Sequence, residues 1–211
     1  MNEGAFVSSA EAGGVGLNNP IFDNYVANSA NSTTVSLNKA ASGANRLAII
    51  ELDTSDSLSA LSITYGGVAC TLINSQNVTS TYFHYLFYFL NPPTALTAVV
   101  ASWTGTARVQ MIVRTYYNVN QSTPLGTSAK ATDNSTTPSV TVSSAVGELV
   151  CDALVSGYSP TPNGGQTSEY SYSIYIGDYG SDRNGATPTV LMSWTQSIGW
   201  WGIIGVSIKP V

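Results

Sequence analysis

The 211-residue chain carries 7 Lys and Arg against 12 Asp and Glu, for a formal net charge of -5. It is long enough to bury a core without staples and fits one all-β domain. Only 9% of its residues are charged, and no basic stripe is present to neutralise phosphates, so nucleic acid is excluded as an expected partner. Its apolar runs are about one strand long, well short of the ~20 residues of a spanning helix, so no membrane insertion is expected.

Residues 1–20 are small, Gly-rich and polar, and read as an N-terminal arm, leaving 21–211 as a single β-sandwich domain. The start lacks a basic stretch and a hydrophobic run, so it does not read as a secretory signal. Residues 33–38 alternate, with Val35 and Leu37 inward, and residues 45–52 are nearly all apolar, as in a buried strand. Residues 53–59 read as a polar turn that begins at Asp53. Strands at 61–65 and 68–74 flank Gly66 and Gly67, a hairpin signal. Residues 82–90 are apolar on both faces and stop at Asn91-Pro92-Pro93, which predicts a central strand. Residues 96–103 are small or β-branched and form the next predicted strand. From Ala107 the period is two: Ala107, Val109, Met111 and Val113 point one way, Arg108, Gln110 and Arg114 the other, as in a strand with one buried face.

Residues 118–134 are loop-rich, with a short strand expected near Thr127. Alternation returns at 140–143. Residues 148–155 predict a strong strand with Leu149, Cys151, Ala153 and Val155 inward and Glu148 and Asp152 outward. Two prolines and two glycines mark 158–166 as a loop. Tyr170, Tyr172, Ile174 and Ile176 share one strand face, 177–185 reads as another loop, and Val190, Met192 and Trp194 line the following strand. Residues 200–209 close the chain with Trp200, Ile204, Val206 and Ile208 on one face. The sum is an all-β, antiparallel, jelly-roll-like β-sandwich of about ten to twelve strands.

Several of these segments are similar to a β-sandwich domain that recurs in phage structural proteins and in bacterial surface and secreted proteins. They are Asn45-Arg46-Leu47, the Ile63-Thr64-Tyr65-Gly66-Gly67-Val68 hairpin, Tyr85-Leu86 through Asn91-Pro92-Pro93, the run from Tyr117 to Gly126, Gly147-Glu148-Leu149-Val150, and the closing Val206 to Pro210. The resemblance spans about residues 30–211 and implies an architecture rather than an activity.

No catalytic constellation stands out. His84 lies mid-strand with no acid or nucleophile beside it in sequence, so a packed or surface-facing histidine is expected. The strand-borne acids are Glu51, Glu148, Asp152 and Glu169. Glu148 and Asp152 lie about 13 Å apart along one strand, too wide for either glycosidase geometry. Asp178, Asp182 and Asn184 are oxygen ligands at loop spacing and form a weak calcium candidate, against which stands ordinary turn chemistry. No cofactor is expected. Cys70 and Cys151 are expected to be buried thiols, with a disulfide as the arithmetical alternative. Tyr170, Tyr172, Tyr175, Trp200 and Trp201 could form a sugar-stacking platform. Trp200 and Trp201 are adjacent, so they face opposite ways and only one can be core, the other meeting ligand or a partner subunit.

Low charge, the Gly-rich arm, an excess of aromatic residues and the resemblance favour a non-enzymatic virion structural protein. The expectation is a capsid decoration or a tail- or fibre-type subunit, forming homo-oligomers and contacting other virion proteins. The alternative is an extracellular or cell-surface module that binds a carbohydrate or a receptor.

Overall fold

The computed structural model describes residues 18–211. The expected arm therefore lies almost wholly outside the described residues. Fifteen strands and no helix are present among them, in antiparallel sheets, so the all-β class is observed.

The first half comprises β1 (Ile21–Lys39), β2 (Leu47–Thr54), β3 (Ser59–Tyr65), β4 (Val68–Ala69), β5 (Thr71–Asn77), β6 (Phe83–Leu90) and β7 (Thr97–Tyr117). They form one sheet in the order β4-β3-β7-β2-β6-β5, with β1 along the other edge of β7. The two strands expected at 96–103 and from Ala107 are one 21-residue strand, β7. The Thr-Gly-Thr that reads as a connection is a kink inside it, where Gly105 takes a φ of +85°, a conformation glycine adopts without strain. Residues 21–32, expected outside any strand, pair with the second half of β7 as part of β1. On its free edge β7 pairs first with β3 and then, past the kink, with β2. The sheet therefore bends, and its two halves enclose one core of Val35, Ile50, Leu52, Ile63, Tyr65, Val99, Trp103, Val109, Met111 and Val113.

The second half comprises β8 (Ala129–Ser135), β9 (Ser139–Ser143), β10 (Leu149–Ser156), β11 (Thr161–Pro162), β12 (Thr167–Ser173), β13 (Gly177–Asn184), β14 (Thr189–Thr195) and β15 (Gly199–Ile208). A five-stranded sheet, β12-β13-β10-β15-β8, packs between the bent sheet and a small sheet, β11-β14-β9. Period two explains how one strand serves two cores. On β10, Leu149, Cys151 and Ala153 meet Leu47, Ile49, Leu86 and Tyr116 of the bent sheet, while Val150 and Leu154 meet Val140, Val142, Met192 and Trp194 on the other side. The result is a β-sandwich-like stack of four layers enclosing three cores. Both cysteines are free; Cys151 is buried and Cys70 half-buried.

Three sequence expectations are corrected by this stacking. Residues 177–185 are a strand for most of their length, paired with β10 on one side and β12 on the other. Asp152 does not point to solvent: it is fully buried, accepting hydrogen bonds from Ser181 N and Oγ at 2.8 and 2.9 Å and from Trp194 Nε1 at 2.7 Å. Gln110 and Arg114 of β7 are also fully buried, because the five-stranded sheet covers them.

Candidate functional site

One face of β2 runs Leu47, Ile49, Glu51, Asp53. The first two join the apolar core against the second sheet; the last two carry carboxylates into the same interlayer space, and both are fully buried. The register places Gln76 of β5 beside His84 of β6, His84 beside Asp53 of β2, and Asp53 beside Gln110 of β7. A polar row thus crosses the bent sheet. Asp178 of β13 faces it from the second sheet and accepts a hydrogen bond from Gln110 Nε2.

His84 Nδ1 lies 3.1 Å from Asp53 Oδ1, and Nε2 lies 3.9 Å from Glu51 Oε1. Burial pushes the imidazole down to about 4, an effect that Glu51 opposes and Arg114 reinforces. At neutral pH His84 is therefore uncharged, and these contacts are not ion pairs. Burial, and then repulsion from Asp53, holds Glu51 well above the usual carboxylate range. Asp53 is also raised well above its ordinary value by burial. Asp178 is raised by burial and by both of those acids. The Glu51 Oε2 accepts from the Tyr170 hydroxyl. Glu51 Oε1, both Asp53 oxygens, both His84 nitrogens and Asp178 Oδ1 have no hydrogen-bond partner.

Beside this row stands an ion pair, in which Arg114 bonds through Nη1 while its Nε and Nη2 have no hydrogen-bond partner. Arg114 Nη1 donates to Glu169 Oε2 at 2.6 Å and to the Asp152 carbonyl at 2.8 Å. Tyr116 donates its hydroxyl to the Glu169 carboxylate at 2.7 Å. The guanidinium lies 5.1 Å above the Tyr170 ring. Gln110 reaches the β12–β13 turn, where its Oε1 accepts from Ile174 N at 2.8 Å and its Nε2 donates to Ile176 O at 2.9 Å.

The aromatic candidates are not brought together. Tyr170 and Trp201 are buried, with 3% and 4% of their surface exposed, and Trp201 donates to Ser135 Oγ at 3.0 Å. Trp200 faces the other way and is half-buried, stacked on Tyr82 with ring centroids 4.5 Å apart. Tyr172 on β12 is three strands away from it across the sheet, and Tyr175 is exposed in the turn that follows. Of the calcium candidates, Asp178 is buried toward the polar row, Asp182 is half-buried and Asn184 is exposed. On a strand, Asp178 and Asp182 stand about 13 Å apart, so they do not form the ligand loop that the sequence suggested.

Sequence reasoning weighed Glu51 and His84 separately and placed Asp53 in a turn. The signal was there in part: Glu51 and Asp53 continue the period-two face set by Leu47 and Ile49. Nothing in the sequence pairs that face with His84, because register is fixed by the whole sheet. Comparison of the chain with models of known protein families, with curated proteins and with solved structures finds no match.

Proposed function

We propose that the chain is a non-enzymatic structural subunit that works through surface contacts and self-assembly, with a virion surface as its setting. The observation that carries this reading is where the chemistry sits relative to the surface. The cluster of acids and the histidine that the fold brings together, Glu51, Asp53, His84 and Asp178, is fully buried between sheets, whereas apolar side chains stand out at turns of a sparsely charged exterior. Leu96, Val146 and Ile198 are 76%, 76% and 69% exposed, apolar surface that contact with another chain would remove from water. Sedimentation velocity and native mass spectrometry test this. A concentration-dependent oligomer that dissociates in Leu96→Asp, Val146→Asp or Ile198→Asp is expected. A monomer at every concentration, with no association to other particle proteins, would sink the reading.

A carbohydrate-binding module is the second reading, favoured by the Tyr82–Trp200 stack with Tyr158 exposed beside it. Flat rings with polar edges suit the apolar faces of sugars. Glycan-array binding lost in Trp200→Ala, with assembly intact, would place this reading above the first.

A further inference from the structure

The polar row between the sheets poses a problem that hydrogen bonding inside the protein leaves unsolved. Five atoms of three fully buried side chains have no partner: Glu51 Oε1, Asp53 Oδ1 and Oδ2, His84 Nδ1 and His84 Nε2. Leaving one buried polar atom unpaired costs about 1–3 kcal/mol, and more when it is charged. A proton shared between Glu51 and Asp53 would still leave both nitrogens of His84 without a partner. A cation can instead take a donor from each side chain at once.

The geometry suits that. One ligand atom each from Glu51, Asp53 and His84 lies within 4.8 Å of the others. The 3.1 Å between His84 Nδ1 and Asp53 Oδ1 is the spacing of two donors that each stand ~2.0–2.1 Å from a shared ion. Neighbouring strands of one sheet, β2 and β6, hold all three residues, with Asp53 and His84 directly opposite. The donors are therefore placed by backbone pairing rather than by mobile loops.

We propose that Glu51, Asp53 and His84 bind a divalent first-row transition cation, zinc foremost, sealed between the two sheets. The donor set chooses the class. Calcium and magnesium take oxygen ligands, whereas an imidazole with carboxylates suits zinc and its transition-metal neighbours. Two carboxylates and a neutral imidazole balance a dication in charge. Among the described residues no pocket opens onto the site, so the ion is a structural one that ties β2 to β6. This inference is independent of the proposed assembly role.

The test uses the full chain, refolded in ZnCl2 and separately in CoCl2, MgCl2 and CaCl2, then gel-filtered against a chelator, with retained metal measured by elemental mass spectrometry. Wild-type protein is expected to retain zinc or cobalt in an equimolar amount and neither magnesium nor calcium, and Asp53→Asn and His84→Gln to retain only background. Should either variant fail to refold, the visible spectrum of the cobalt-loaded wild type decides. Bands of nitrogen and oxygen ligation support the site, and a near-ultraviolet thiolate band would place the metal at Cys70 or Cys151 and overturn it. Wild-type protein without retained zinc or cobalt, variants that retain as much as wild type, or preferential retention of calcium would each overturn the proposal.

Discussion

Arg114 shows how much one buried charge depends on its partners. Its guanidinium is fully buried and meets one carboxylate, that of Glu169. Removing either partner leaves the other charged and unpaired in the interior. Glu169→Gln or Arg114→Ala should therefore destabilise the protein by about 3–5 kcal/mol in urea denaturation, whereas replacing both with Met should cost far less. A double variant as unstable as the single ones would show that the ion pair is not the reason. The sequence makes Gln110 and Arg114 share a face, and they do. It does not say what lies above that face. Period two reports that two sides of a strand differ; a polar side reads as solvent unless the layer that covers it is known. The same ambiguity misplaced Asp152.

At the level of single strands, agreement is best where apolar runs are continuous. β2, β6, β10 and β15 fall close to their expected bounds because a strand buried on both faces has one strong compositional signature. β13 was missed for the opposite reason. Its sequence, GDYGSDRN, is turn-like, yet pairing on both edges makes it a strand, and tertiary context overrides propensity. Glycine within β15 serves close approach. A Cβ on Gly205 of β15 would lie 2.6 Å from Val142 Cγ2 and 3.1 Å from Val140 Cγ1 of β9, so Gly205→Ala should force the small sheet outward at a cost of about 1–3 kcal/mol. Gly164→Ala, where an added Cβ meets nothing within 4 Å, should change the urea midpoint little. Equal effects of the two substitutions would refute the packing explanation.

Over the whole molecule, the buried acids set how stability responds to pH. Burial raises Asp152 from 3.8 to about 6, against the lowering effect of its hydrogen bonds from Trp194 and Ser181. The folded state thus binds a proton that the unfolded state has already released. That contribution is fully present below about pH 4 and disappears as pH rises through about 6. Unfolding free energies measured across this window should fall less steeply with pH in Asp152→Asn than in wild type; parallel profiles would rule out this role for Asp152. The nested arrangement of the cores has a temporal consequence as well. The bent sheet builds its own core from residues within the first 113, all of which precede the strands of the second sheet in the chain. During synthesis the acidic back of that sheet faces water, and docking of the later strands then seals it. A cation captured there would be trapped kinetically: a chelator should strip it no faster than the protein unfolds, and faster loss would reveal an opening motion that the closed layers do not display.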